Sequence, residues 1–168
     1  MDDFDKNNAL TVLGIETTCD ETAASVVSLD KNGISKLHSN ITHSQYEEHS
    51  EFGGIVPEVA ARSHLNNISF IVAEAIENSK NEINNIDAVA VSCGPGLIGG
   101  LLVGSLFGKA YALSRNIPFI PINHLEAHVL SPRLFEKIHF PYLALLVSGG
   151  HTQLLYVCLL YTSDAADE

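Results

Sequence analysis

His124 and His128 stand four residues apart in His124-Leu125-Glu126-Ala127-His128. On a helix that spacing puts both imidazoles on one face, about 5–6 Å apart at Cβ, so that both can reach one metal ion. Two surface histidines of an ordinary helix would give the same pattern. A zinc metalloprotease would need the glutamate beside the first histidine. Glu126 instead lies two residues on, roughly 200° around the helix, so that class is excluded. Two histidines are also one ligand short of a site, and a carboxylate from elsewhere would have to complete it.

Three other segments carry chemistry. Gly94-Pro95-Gly96-Leu97-Ile98-Gly99-Gly100 lies between an apolar run and a helical pattern, where backbone N–H groups could hold an anion. It fits neither the Walker pattern nor GxGxxG, and glycines serving tight helix–sheet packing explain it equally well. Ser148-Gly149-Gly150, between two apolar runs, offers a hydroxyl and two unencumbered N–H groups to a phosphate or carboxylate, or is an ordinary hairpin turn. Asp20 follows Thr17-Thr18-Cys19 at the exit of the first apolar run. Its carboxylate either orients a nucleophile or a metal-bound water, or is a solvated turn acid. Cys19 reads as packing or a bystander.

The elements that position these groups follow from periodicity. Residues 11–16, 22–30 and 35–42 read as strands, with a turn at Lys31-Asn32-Gly33 and a loop over 43–54. Pro57 suits a first helical turn, and Ile68, Ile71, Val72, Ala75 and Ile76 make 57–79 an amphipathic helix. A buried strand follows at 86–92. Residues 98–115 are apolar nearly all round, predicting a helix covered on several sides. Gly100, Gly104 and Gly108 form a bare stripe along it, open to another backbone or a ligand. A strand at 119–122, a helix at 124–136 and two strands within 142–157 complete an α/β chain. The turns at Thr17-Thr18 and Ser148-Gly149-Gly150 echo each other, as in actin-like, sugar-kinase and Hsp70 folds, where two such turns face a phosphate.

Composition sets the limits. The 168 residues are 46% hydrophobic and 17% charged, which excludes a disordered tail, and no apolar run reaches the ~20 residues of a membrane span. The acidic start Met1-Asp2-Asp3-Phe4-Asp5 fits neither a signal nor a transit peptide. Three cysteines without a CxxC pair suit a reducing compartment. The net charge of −11 disfavours a free-standing nucleic-acid binder. Residues 158–168 change character and read as translated adapter sequence rather than native protein. Without Asp164, Asp167 and Glu168 the charge moves from −11 to −8. The expected organisation is a first lobe at 1–115, the start of a second at 116–157, and this tail.

Taken in order, five motifs resemble one family. They are Gly14-Ile15-Glu16-Thr17-Thr18-Cys19-Asp20-Glu21-Thr22; Gly53-Gly54-Ile55-Val56-Pro57-Glu58 with Ala61-Arg62-Ser63-His64; Gly94-Pro95-Gly96-Leu97; His124-Leu125-Glu126-Ala127-His128; and Leu146-Val147-Ser148-Gly149-Gly150-His151-Thr152. Over about residues 10–157 they resemble the tRNA N6-adenosine threonylcarbamoyltransferases, once labelled glycoproteases. Val147 and His151 suit the bacterial or organellar branch.

The resemblance implies a truncated, two-lobed, actin-like α/β fold and a cytoplasmic or mitochondrial enzyme. The enzyme would move threonylcarbamoyl from threonylcarbamoyl-AMP to N6 of adenosine 37 in tRNAs that read ANN codons. It implies that His124 and His128 bind a divalent metal, iron(II) with zinc as the alternative. Leu146, Val147, Ser148, Gly149 and Gly150 would bind substrate, and Asp20 would be the required aspartate near the nucleotide. It further implies a paralogous partner protein and a small ATPase, with no membrane association. The family's third metal ligand, a downstream aspartate, has no counterpart here, and this chain alone is expected not to transfer threonylcarbamoyl. The competing readings are an ATP-dependent small-molecule kinase or ATPase of the same fold class and a non-catalytic paralogous scaffold.

Overall fold

The computed structural model describes residues 9–80, 82–83, 85–148 and 152–158, and the backbone of 162–164. The chain divides into two compact units, residues 1–124 and 125–168.

In the first unit, Leu10–Glu16 (β1), Glu21–Leu29 (β2) and Ser35–Ser44 (β3) form an antiparallel meander. A short helix Tyr46–Ser50 (α1) and the long helix Pro57–Ser79 (α2) lead to Ala88–Gly94 (β4). Helix Ile98–Arg115 (α3) then leads to Phe119–Asn123 (β5). The strand order is β3-β2-β1-β4-β5, with β4 parallel to β1 and β5 parallel to β4. Parallel neighbours need crossovers, and α2 and α3 supply the covering layer. The core forms where Leu13 and Ile15 of β1, Ala24 and Val26 of β2, and Val89 and Val91 of β4 meet Ile68, Val72 and Ala75 of α2 and Ala112 of α3. The parallel arrangement matters for chemistry. The C-terminal ends of β1, β4 and β5 lie along one edge, which collects residues 16–20, 92–97 and 123–124 there.

The second unit begins with the rest of helix His124–Leu130 (α4), followed by a 3-10 turn at Ser131–Leu134. Tyr142–Val147 (β6), Thr152–Val157 (β7) and Thr162–Asp164 (β8) form an antiparallel sheet. Val129, Leu155 and Val157 form its core, and the Tyr142 hydroxyl donates to the Val129 carbonyl at 2.6 Å.

Several sequence expectations change. The helix expected over 124–136 ends at Leu130 because Pro132 has no N–H to give to the His128 carbonyl. The Ser131 hydroxyl takes that carbonyl instead, at 2.9 Å. The loop expected over 43–54 contains the end of β3 and α1. The first unit runs past residue 115 to His124, because β5 pairs with β4 in the same sheet. Helix α3 is not covered on several sides within its unit. Its glycine stripe is buried, while Ile98, Leu102, Leu106 and Leu113 on the other side are exposed. Residues 162–164 of the segment set apart at 158–168 pair with β7.

Candidate functional site

The edge of the first unit gathers its polar groups around Glu16. The Thr18 N–H donates to Glu16 Oε1 at 2.6 Å, and His124 Nδ1 lies 3.0 Å from Glu16 Oε2. A carboxylate can only accept, so Nδ1 carries the hydrogen, and the lone pair of a neutral His124 ring is on Nε2. The Thr18 hydroxyl is 3.2 Å from the same Nδ1. Burial pushes the Glu16 carboxyl up, but hydrogen bonds from Ser92, Thr18 and His124 outweigh it and hold the group below the ordinary carboxylate range. Three strand ends thus deliver Glu16, Ser92 and His124 to one ionised, hydrogen-bonded cluster. Reading the sequence missed Glu16 and Ser92. A charged side chain closing the apolar β1 was the available signal.

The glycines of α3 have a structural purpose. A Cβ at Gly100 would press into the Thr17 carbonyl oxygen, and one at Gly104 into the Thr17 hydroxyl. One at Gly96 would lie 2.7 Å from the Thr18 Cβ. Gly96, ahead of α3, and Gly100 therefore receive the Thr17-Thr18 backbone, Gly104 receives the Thr17 side chain, and Gly108 lies against Val91 of β4. The Thr17 hydroxyl donates to the Gly100 carbonyl at 2.9 Å, and the Leu97 N–H to the Thr18 carbonyl at 2.8 Å. Of the two readings of Gly94–Gly100, close packing is the one with contacts behind it.

Asp20 is half-buried at the turn out of β1, with its own carbonyl accepting from the Gln45 N–H at 3.0 Å. Cys19 is exposed, and desolvation together with the neighbouring Asp20 charge pushes its thiol up, against a nucleophilic role. Behind the turn lies His64, fully buried. Its Nε2 donates to the Cys19 carbonyl at 3.1 Å, and its Nδ1 accepts from the Thr22 hydroxyl at 2.8 Å. Burial, acting first, pushes the His64 imidazolium pKa down despite the favourable Cys19 carbonyl and the Glu16 and Asp20 charges. Sequence periodicity could have flagged it, since His64 precedes Ile68 by one turn on the apolar face of α2.

A pH effect follows from that depression. The unfolded chain takes up a proton on this histidine below about pH 6.5 while the folded chain resists it. The His64 contribution is fully present above that pH and is lost as pH falls toward the folded value. The urea midpoint is expected to drop between pH 7 and pH 5.5 more steeply in the native chain than in His64→Gln. Equal slopes in the two would show that His64 is not the group responsible.

A second cluster has the order of a charge relay. Ser28 Oγ lies 2.8 Å from His38 Nε2, and His38 Nδ1 lies 2.7 Å from Glu82 Oε2, with Lys36 also on Glu82. Ser28 is nevertheless buried in mid-strand, paired with Thr11 on one side and Lys36 on the other. Ladder pairing leaves no backbone donors to hold an oxyanion there. The cluster ties the segment after α2 to the sheet.

In the second unit, His128 is exposed, and Leu146 packs toward the core of Val129, Leu155 and Val157. Val147 and Ser148 are exposed at the end of β6. Gly149 and Gly150, with His151, lie outside the described residues. Among the described residues, no group of three or more His, Cys, Asp or Glu side chains is arranged to hold a metal ion. The pair His124 and His128 falls short of the three protein ligands of an ordinary catalytic metal site. The residues present do not make up such a site by themselves.

Residues 36–166 match the family described as tRNA N6-adenosine threonylcarbamoyltransferase. The chain belongs to that family. A tRNA N6-adenosine threonylcarbamoyltransferase of Rhizobium johnstonii is 53% identical over 148 residues, which are 88% of this chain and 40% of the relative. One of Pelagibacter ubique is 51% identical over 146 residues, 87% of this chain and 41% of the relative. The chain thus spans about two-fifths of the length of these curated threonylcarbamoyltransferases. Among solved structures, YeaZ from Pseudomonas aeruginosa aligns with a TM-score of 0.55 at 15% identity, covering 93% of this chain and 64% of that one. The Aquifex aeolicus PPX-GPPA enzyme aligns with a TM-score of 0.53 at 8% identity, covering 94% and 51%. At such identities the likeness concerns the fold, an α/β domain of the actin-like class. Among the described residues, no helix is long and apolar enough to cross a membrane.

Proposed function

We propose that this chain provides the N-terminal portion of an enzyme that transfers threonylcarbamoyl from threonylcarbamoyl-AMP to N6 of adenosine 37 in ANN-decoding tRNAs. The observation that carries the reading is about 50% identity to such enzymes across nearly all of the chain. The hydrogen-bonded strand-end cluster at Glu16, Ser92 and His124 supports it.

The donor is a mixed anhydride and is already activated, so the protein's task is to bring an amine to a carbonyl and manage one proton. As the N6–carbon bond forms, the bond from that carbon to the phosphate oxygen breaks, and AMP leaves with the electron pair. The amine proton passes to a base. Asp20, half-buried at the mouth of the β1 turn, is assigned that role. Leu146, Val147, Ser148, Gly149 and Gly150 are assigned to the adenylate. Leu146 anchors the end of β6 within the second unit, and the exposed Val147 and Ser148 are the residues that would meet ligand. His124 and His128 are assigned as two ligands of a divalent metal, iron(II) or zinc, with Glu16 orienting His124. A paralogous partner, a small ATPase and a cytoplasmic setting belong to the same reading. The exposed apolar stripe of α3 is a surface that such a protein partner could cover.

The test joins residues 1–157 to the C-terminal portion of the Rhizobium johnstonii relative. With threonylcarbamoyl-AMP, an ANN-decoding tRNA and the partner proteins, threonylcarbamoyladenosine is expected by mass spectrometry of the digested tRNA. If the relative's own enzyme forms product and the chimaera forms none, the reading fails. Phosphorylation of a small molecule without tRNA product would favour the kinase alternative.

A further inference from the structure

The carbonyls of three successive residues leave the end of β1, and each is held by a different part of the first unit. The Leu97 N–H, ahead of α3, takes the Thr18 carbonyl at 2.8 Å. His64 Nε2, on α2, takes the Cys19 carbonyl at 3.1 Å. The Gln45 N–H, ahead of α1, takes the Asp20 carbonyl at 3.0 Å. Two of these donors are main-chain groups that any sequence would supply. His64 is the one clamp made by a side chain.

The rest of the ring is committed to holding it there. Besides the Thr22 hydroxyl, His64 Nδ1 faces the Gln45 side-chain Nε2 at 3.2 Å. Gln45 Oε1 accepts from His49 Nε2 at 3.1 Å, and His49 Nδ1 accepts from the Val56 N–H at 3.4 Å. Donors and acceptors alternate from Val56 to the Cys19 carbonyl with one tautomer of each histidine, and the single His64 Nδ1 lone pair is shared by the nearer Thr22 hydroxyl and the Gln45 amide. Gln45 contributes at both ends, through its main chain to Asp20 and through its side chain to His64.

We propose that His64 is a positioning residue for Asp20. It fixes the Cys19–Asp20 peptide, and so the direction in which the Asp20 carboxylate leaves the backbone, without touching substrate. The inference rests on the assignment of Asp20 as the base and adds the device that aims it. A histidine that merely filled space between α2 and the β1 turn would be replaceable by any side chain of similar volume. A clamp requires a donor toward Cys19 and an acceptor toward Thr22 and Gln45.

His64→Leu keeps the volume and removes both functions, while His64→Gln keeps a donor and an acceptor. In the chimaera, His64→Leu is expected to lower kcat about a hundredfold with KM for the adenylate changed by less than about threefold, since misplacement by about 1 Å carries that cost. His64→Gln is expected to recover at least about tenfold of the loss, because its amide can restore both hydrogen bonds. Full kcat in His64→Leu, or no recovery by a folded His64→Gln, overturns the proposal. A second measurement needs no activity. In the 168-residue chain, amide hydrogen exchange at Gln45 and Leu97 should be at least about tenfold faster in His64→Leu while Leu13 in β1 stays protected. Unchanged exchange at Gln45 and Leu97 overturns the clamp. If the unsubstituted chimaera makes no product, the functional reading fails, and the exchange measurement alone decides whether His64 holds the Asp20 peptide.

Discussion

Asp20→Asn, made in the chimaera with the Rhizobium johnstonii C-terminal portion, is expected to lower kcat by about 10²–10⁴, the range that a positioned general base contributes. The substitution is nearly isosteric, and the backbone of the turn is held through the carbonyls of residues 18, 19 and 20 rather than through the Asp20 side chain. The fold should therefore survive unchanged, and a loss of rate would report on chemistry. The amide cannot accept the proton released by the attacking N6 amine, so the defect should appear in single-turnover transfer with prebound adenylate. Binding of the adenylate should change far less than the rate. A single-turnover rate within about threefold of the unsubstituted protein would remove Asp20 from the role of base.

Gly100→Ala in the chain itself is expected to destabilise the first unit by a net of about 2 kcal/mol. The added methyl would press into the Thr17 carbonyl oxygen, which belongs to backbone buried at the end of β1 and cannot rotate away. Overpacking of this kind costs up to about 3 kcal/mol. Replacing a mid-helix glycine by alanine returns about 1 kcal/mol of helix propensity, too little to compensate. A fall in Tm of about 4–8 °C should follow for a chain of this size. Gly54→Ala is the control, because nothing lies within 4 Å of its added Cβ and its φ is not positive. It should stay within about 0.5 kcal/mol of the parent. Equal Tm values for Gly100→Ala and the parent would mean that α3 and the β1 turn are not in the close contact described.

The two long helices were legible in the sequence from end to end. Pro57–Ser79 and Ile98–Arg115 fall where the apolar spacing, Pro57 and the polar stretches around them predict. The strands of the meander were legible to within two residues, because alternation and turn residues are properties of consecutive positions. The early proline was misjudged in one place, at Pro132, where a helix was expected to continue. The family was also legible, since its motifs are short and ordered along the chain.

What the chain order could not say was which distant groups meet. The glycine stripe of α3 announced a close approach but not its partners, which are Thr17, 83 positions away from Gly100, and Val91 of β4. His64 could have been picked out as a polar residue on the apolar face of α2, yet its bond to the Cys19 carbonyl exists only because α2 crosses behind β1. Glu16, Ser92 and His124 belong to three motifs or strands with nothing in common in sequence. They become one cluster because β1, β4 and β5 are parallel and end at the same edge. Local propensity and hydrophobic period are encoded by near neighbours and survive in the one-dimensional string. Hydrogen-bond partners across a sheet edge depend on strand order and register, and those are set only when the whole core packs.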